Sequence, residues 1–474
     1  MLSHHISRRI ASHMSFSPTA DQQALLDSLG AFLVEPNDEA LFVLNGYAGT
    51  GKTTVVAALV RALQEFGRQV VLLAPTGRAA KVMSSYSGHA AYTIHKKIYR
   101  QAAMRDGVGR FSLNVNLHSN AVFLVDEASM ISNSSAEQSI FGSGRLLDDL
   151  VTFVRTGKGC RLVLVGDSAQ LPPVGLTLSP ALDAKSLSFY GKNEHAFLRE
   201  VVRQAEDSGV LHNATRIREH IEAGRQGFPR LQLGSFRDVH KLLGAEFVDT
   251  LTTAYGKLGV DNVMVITRSN KQANRYNAGI RAAVLGKEEE VVQGDRLMVV
   301  KNSYSWTEQD AELSKEVDFI ANGDIVELQR IRRYREMYGF RFAEATVVLT
   351  DYNNAELDCR LMLDTISMES AALSAEQSRQ LFARVQEDYA HIMPASRRYA
   401  AVKVDPFFSA LQVKHAYAVT CHKAQGGQWK AVFVDHGYLA DEMVNVELLR
   451  WLYTAFTRAT EQLYLVNFDK RFFE

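Results

Sequence analysis

The sequence predicts an α/β protein with two parallel-sheet domains, the second interrupted by a small all-β module. Three observations predict it. Apolar runs of strand length alternate with helical patterns over about residues 41–165, and the alternation returns toward the C-terminus. Between about 292 and 367, short strands follow one another without helices. The chain has 474 residues, which suits two to four domains. Hydrophobic residues make up 46% and charged residues 22%, as in ordinary globular proteins, and no apolar run is long enough to cross a bilayer. Lys+Arg and Asp+Glu are both 53, so net charge gives no argument for a nucleic-acid partner, and only a local basic groove could supply one. The three cysteines, Cys160, Cys359 and Cys421, are scattered. They suggest neither a disulfide framework nor a zinc site, and a reducing location is the simpler expectation.

Residues 1–14 carry Arg8, Arg9, three histidines and no acid. A frayed arm or a tag remnant is expected there ahead of a transit peptide. Ser15 to Leu29 reads as a helix capped near Thr19, with apolar Leu25, Leu26 and Leu29. Gln22 on it could pair with the donor and acceptor edge of adenine, or be a solvated helix residue. The apolar run Leu41–Leu44 then leads into Gly46-Tyr47-Ala48-Gly49-Thr50-Gly51-Lys52-Thr53, and helical spacing resumes at Val56, Leu59, Val60 and Leu63. Strand, glycine loop and helix form the context in which this pattern binds phosphates. Backbone N–H groups turn inward around the oxygens, and the helix N-terminus adds positive potential. Lys52 is expected on the β- and γ-phosphates and the Thr53 hydroxyl on Mg²⁺. The nucleotide-holding set is Gln22, Gly46, Gly49, Gly51, Lys52, Thr53 and Thr54.

Gly67 ends that helix, and Val70–Ala74 is the next buried strand. Thr76 and Arg78 follow its C-terminal end, the edge where ligands of an open parallel sheet bind. Thr93 and His95 follow another loop. The turn signal Asp106-Gly107-Val108-Gly109 precedes an alternating stretch, Arg110 to Leu117, which suggests a hairpin with Phe111 just past its turn. Phe111 could stack on a base pair there, or pack with Leu113, Val115 and Leu117. Ala121–Val125 then runs into Asp126 and Glu127. Asp126 is expected at Mg²⁺, and Glu127 is placed to deprotonate the attacking water. A fourth strand, Arg161–Val165, ends in Gly166-Asp167-Ser168-Ala169-Gln170, where Gln170 could sense the γ-phosphate.

Six runs now stand in order: LNGYAGTGKTT, DEASM, GDSAQLPPVG, Leu198–Gln204, Tyr417–Gly426 and Leu452–Ala459. They resemble motifs I to VI of superfamily 1 helicases, over about residues 15–468. The nearest resemblance is to the 5′→3′ branch (superfamily 1B) with RecD-like and phage Dda-like enzymes; chain length resembles the Dda type best. The motifs do not separate the RecD, Dda and Pif types cleanly.

The resemblance implies two RecA-like P-loop NTPase domains with a hairpin insertion in the first and an SH3-like barrel in the second. The expected division is a flexible arm at 1–14 and domain 1A at 15–200, with a pin at about 97–120. Domain 2A covers 201–291 and 411–474, and domain 2B, the barrel plus a helix, covers 292–410. ATP and Mg²⁺ are the implied cofactors. Lys52, Glu127, Gln170, Arg203 and Arg458 are the implied catalytic residues, the two arginines reaching the γ-phosphate. Thr76, Thr93 and His95 would grip DNA from the first domain, and Thr267, Asn270, Thr420, His422 and Lys423 from the second. Phe111 would lie on the strand-separating pin. Arg330, Arg332, Arg333 and Arg335 crowd one stretch of the barrel and suit either a phosphate contact or a solvated basic face. The implied activity is 5′→3′ translocation on single-stranded DNA and unwinding of forked duplex. A single-strand-binding, replication or recombination protein is a candidate partner, and the expected location is cytoplasmic and nucleoid-associated. An ATP-binding subunit of a nuclease complex and an RNA helicase stay open. Glu127, Gln170, Arg203 and Arg458 speak against a catalytically silent clamp.

Overall fold

The computed structural model describes residues 2–37, 39–101, 111–133, 141–202, 207–225, 227–303, 305–308, 319–350 and 352–474. The N-terminal segment expected as a frayed arm is a helix, α1 (Leu2–Ser12), with Ile6 and Ile10 buried. It lies on α2 (Ala20–Val34), where a Cβ at Gly30 would come within 2.4 Å of the Ser3 carbonyl. Glycine therefore permits the close approach. The Ser7 hydroxyl donates to Asp27 at 2.6 Å. Thr19 caps α2, with Gln22 completing a reciprocal capping box.

The first domain is a six-stranded parallel sheet of β1 (Leu41–Gly46), β2 (Val70–Ala74), β3 (Ala91–Thr93), β6 (Val122–Val125), β7 (Arg161–Gly166) and β8 (Asn193–Leu198). Their order is β3-β2-β6-β7-β1-β8. The adjacent strands β6, β7 and β1 thus deliver Asp126, Asp167 and the glycine loop to one edge. Alternate residues of β1 feed two cores. Phe42 and Leu44 pack with α2 and α3 (Lys52–Glu65); Leu41 and Val43 pack with α6 (Leu146–Thr156) on the other face. Burial on both faces explains the unbroken apolar runs, each large side chain contributing about 1.5–3 kcal/mol. Two further helices, α4 (Gly77–Ser87) and α5 (Ile94–Ile98), follow β2 and β3. An antiparallel pair, β4 (Tyr99–Gln101) with β5 (Phe111–Leu113), forms the stem of the expected hairpin. The alternating strand expected to Leu117 stops at Leu113, and Val115 and Leu117 are exposed.

In the second domain β9 (Val239–Leu242) and β10 (Val263–Thr267) precede the inserted module. That module is a closed barrel of β11 (Arg296–Val299), β12 (Ile325–Met337), β13 (Phe340–Leu349), β14 (Ala355–Met362) and β15 (Leu411–His415). Its fifth strand lies beyond the boundary expected at residue 410. Only Ala416 and Tyr417 separate β15 from β16 (Ala418–Thr420), so no turn signal marks the passage. With β17 (Trp429–Asp435) and β18 (Ala459–Val466) the sheet order is β16-β10-β17-β18-β9, again parallel. The helix Val446–Phe456 buries most of its length against it. Two helices, Ala375–Asp388 and Ala395–Val404, stand where one was expected. They pack Leu381, Val385 and Val402 on Phe340 and Phe342 of β13. On β12, Arg332 pairs with Asp358, and Arg335 with Glu344 at 2.7 Å, so part of the basic stretch is neutralised by neighbouring strands.

Candidate functional site: a nucleotide cleft between two domains

Between the domains lies a cavity of about 930 Å³, bordered by the glycine loop, Asp126, Glu127, Gln170 and Arg458. Gly49 and Gly51 have φ of +76° and +84°, the left-handed region that favours glycine. A Cβ on Gly51 would lie 2.5 Å from Gln22 Nε2. No side chain caps α3, so its first N–H groups are left for a ligand. Lys52 Nζ donates to the carbonyls of Gly46 at 2.6 Å and Tyr47 at 2.8 Å, and lies 3.9 Å from Asp167. Thr53 and Thr54 are exposed to the cavity. Gln22 is buried and doubly engaged: Nε2 donates to the Thr50 carbonyl at 3.0 Å, and Oε1 accepts from Thr19 N–H at 3.1 Å. Here it ties the loop to α2, and pairing with adenine would require both bonds to open.

Asp126 accepts two hydrogen bonds, from Glu127 N–H and from the Tyr86 hydroxyl, each 2.8 Å long. Glu127 leaves the strand at φ +53°, which swings its carboxylate toward the second domain. The Arg458 guanidinium stands 3.6 Å away. Burial pushes the Glu127 carboxyl above the usual carboxylate range, and the Arg458 charge opposes that rise. Arg458 is itself buried and donates to the carbonyls of Thr454 at 3.2 Å and Gly427 at 3.3 Å. Gln170 Oε1 is buried and has no hydrogen-bond partner among the described residues. An uncapped helix start, two left-handed glycines and an orphaned amide oxygen fit a nucleoside triphosphate with Mg²⁺. Arg203 lies outside the described residues.

Several side chains that sequence reasoning missed join the two domains. Tyr453, fully buried, accepts from Ala48 N–H at 2.8 Å and donates to Asp167 at 2.6 Å. Thr454 accepts from Leu171 N–H at 2.8 Å, and Gln425 donates to the Leu171 carbonyl at 2.7 Å. Arg78 lies 4.1 Å over the Trp429 ring. Tyr453, Thr454 and Gln425 sit inside the motif strings, but only the fold reveals their partners.

The proposed strand-contacting residues fall into two groups on the adjoining edge. Thr76 and Thr93 cap α4 and α5, accepting from Ala79 N–H at 3.2 Å and Lys96 N–H at 3.1 Å. His95 is half-buried, its ring 4.9 Å from that of Phe141, and burial lowers its pKa to about 4, so it is neutral near pH 7. Phe111 stacks on Phe141 at 4.7 Å and 28°, at the Gln101 end of the hairpin stem. That geometry favours packing, and the turn at 106–109 lies outside the described residues. In the second domain Thr267 and Thr420 are register partners on neighbouring strands. Thr267 is fully buried, its hydroxyl donating to the Ser269 carbonyl at 3.1 Å, so its side chain does not reach the surface. Asn270 begins the helix Asn270–Gly279 and is half-buried, as are Thr420, His422 and Lys423. Burial lowers the pKa of His422 below its usual value and that of Lys423 to about 8. Lys423 Nζ is buried without a hydrogen-bond partner among the described residues.

Two family models match the chain: an AAA domain over residues 21–232 and a UvrD-like helicase C-terminal domain over residues 415–466. An ATP-dependent RecD2 DNA helicase of Deinococcus radiodurans is 30% identical over 301 residues, covering 60% of this chain and 36% of the relative. The ATP-dependent DNA helicase Dda of Enterobacteria phage T4 is 23% identical over 296 residues, covering 60% of this chain and 62% of the phage protein. The chain thus spans little more than a third of the RecD2 relative's length. A Pif1 helicase from Bacteroides, solved with ADP-AlF3 and single-stranded DNA, aligns over 97% of this chain and 95% of its own at 14% identity and a TM-score of 0.45. The class that the fold and cleft define is a two-domain P-loop protein, and these matches make the chain similar to RecD/Dda-like superfamily 1B helicases. Among the described residues, no helix is long and apolar enough to cross a membrane.

Proposed function

We propose that the chain is an ATP-driven motor that travels 5′→3′ on single-stranded DNA and opens forked duplex ahead of it. The observation that carries this reading is Arg458 of the second domain, 3.6 Å from Glu127 of the first across the nucleotide cavity. A phosphate-sensing arginine on the opposite domain makes closure of the cleft depend on the nucleotide. The loop amides and Lys52 would hold the phosphates, and Thr53 and Asp126 would hold Mg²⁺, which would supply charge neutralisation for phosphoryl transfer. Glu127 accepts the proton of the attacking water, and the Gln170 side-chain oxygen orients that water. Arg458, with Arg203, stabilises charge on the transferring phosphoryl group. Closure and opening move Thr76, Thr93 and His95 relative to Asn270, Thr420, His422 and Lys423. The Lys423 ammonium, without a hydrogen-bond partner among the described residues, suits a DNA phosphate, so binding is largely independent of sequence.

The barrel acts as the SH3-like element of the second domain and helps retain the strand, while the hairpin on the β4–β5 stem separates the duplex. A cytoplasmic, nucleoid-associated setting and a single-strand-binding, replication or recombination partner accord with this activity. The test is ATP turnover by the purified chain with and without single-stranded DNA. Strong stimulation that Lys52→Ala abolishes is expected; turnover indifferent to DNA would overturn the motor reading.

A further inference from the structure

Helix α4 spans the space between the proposed strand track and the metal-holding carboxylate. Its N-cap, Thr76, lies at the DNA-facing edge beside Gly426, where an added Cβ on that glycine would come 3.1 Å from the Thr76 hydroxyl. Near its C-terminal end, Tyr86 borders the nucleotide cavity. The Tyr86 ring is half-buried against the first-domain core, and its hydroxyl donates to Asp126 Oδ2 at 2.8 Å. Asp126 Oδ1 meanwhile accepts from the Glu127 backbone at 2.8 Å. A carboxylate held at one oxygen can still rotate about that bond; held at both, its plane is fixed.

We propose that Tyr86 is a positioning residue for the nucleotide-bound Mg²⁺: its hydroxyl fixes the plane of the Asp126 carboxylate toward the cation's shell. The inference rests on the ATP–Mg²⁺ reading of this cavity. Three features carry it. The donor is a phenol on a rigid ring that packs half-buried against the first-domain core, so little conformational freedom is lost in making the bond. Each Asp126 oxygen accepts one hydrogen bond and keeps a lone pair for a metal-bound water. The hydroxyl projects from a helix of a different strand crossover, so the bond also fixes α4 to the end of β6. A purely structural tyrosine at this place would need a hydrogen-bond acceptor, but not the carboxylate that ends the strand beside the phosphate loop.

Tyr86→Phe removes the hydroxyl and keeps the ring. Loss of such an outer partner typically weakens metal affinity by about 10–100-fold. The experiment measures binding of a fluorescent ADP analogue over a Mg²⁺ titration and again in excess EDTA, alongside a melting curve. The expected result is a half-saturating Mg²⁺ concentration raised about tenfold or more, with EDTA-state nucleotide affinity unchanged. Equal losses with and without Mg²⁺, following a lowered melting temperature, would reduce Tyr86 to a packing residue and overturn the proposal. An unchanged or tighter Mg²⁺ response would overturn it as well. Wild-type protein whose nucleotide binding ignores Mg²⁺ would instead overturn the ATP–Mg²⁺ reading itself. Tyr86→Leu, which loses both ring and hydroxyl, should match Tyr86→Phe in Mg²⁺ response while melting lower. A Leu variant with normal Mg²⁺ response would contradict the proposal.

Discussion

Replacing Arg458 by alanine removes the charged group nearest Glu127 on the far side of the nucleotide. An arginine that stabilises phosphoryl transfer is worth roughly 10³–10⁵ in rate. At about 1.36 kcal/mol per decade, that is about 4–7 kcal/mol of transition-state stabilisation. The folding cost is smaller. The lost hydrogen bonds, to Thr454, Gly427 and Thr457, are long at 3.2, 3.3 and 3.4 Å, and together contribute about 2–4 kcal/mol. ATP turnover at saturating single-stranded DNA should therefore fall at least a thousandfold in protein that still folds. Affinity for a labelled oligonucleotide, read by anisotropy, should stay within a few-fold. The Glu127 carboxyl loses its opposing charge and titrates still higher, so the acid limb of the residual rate moves to higher pH. Arg458→Lys keeps the charge without the planar fork and should fall between the two. A folded Arg458→Ala protein with kcat within tenfold of wild type would refute the reasoning. Loss of DNA affinity with intact turnover would move Arg458 to the strand track.

Other expectations follow from the same geometry. Glu127→Gln should bind ATP and DNA but hydrolyse very slowly, and the acid limb of kcat should vanish; near-normal turnover would remove Glu127 from the chemistry. A DNA phosphate on Lys423 raises its pKa from about 8, so the contact is fully present below pH 8 and is lost as pH rises through the bound-state value. Single-strand affinity should then fall by up to about tenfold per pH unit above pH 8, and Lys423→Arg should flatten the profile; an unaltered profile in that variant would exclude the contact. Phe111→Ala, which loses the stack on Phe141, should cost about 1–3 kcal/mol, lower the melting temperature and depress ATPase, translocation and unwinding together. Slower unwinding alone, at unchanged melting temperature, would restore Phe111 as a wedge.

The glycine-loop half of the candidate site was legible as an arrangement because local chain order builds it. Gly46 to Thr54, Asp126 and Gln170 each follow an apolar run, and parallel order brings those strand ends together. The joints between domains were not legible. Nothing in the spacing of Tyr453, Asp167 and Ala48 says that one hydroxyl bridges the other two, because their meeting depends on how two separately folded sheets dock. Tyr86 gave no signal, since a tyrosine on an amphipathic helix reads as core. Ile6 and Ile10 were hidden for the opposite reason: a basic, histidine-rich segment masks two apolar residues at helical spacing. Thr267 ends a strand as expected, yet strand position alone does not say whether a side chain faces solvent or its neighbours. The barrel strand Leu411–His415 was obscured by its near-continuity with the next strand.

The central claim is directional movement on DNA, and unwinding of singly tailed duplexes tests it most directly. Two duplexes of identical sequence, one with only a 5′ single-stranded tail and one with only a 3′ tail, are incubated with the protein, ATP and Mg²⁺. The account predicts ATP-dependent strand separation from the 5′-tailed duplex and little from the other. Efficient opening from the 3′ tail alone, or separation from neither in protein with DNA-stimulated ATPase, would contradict it.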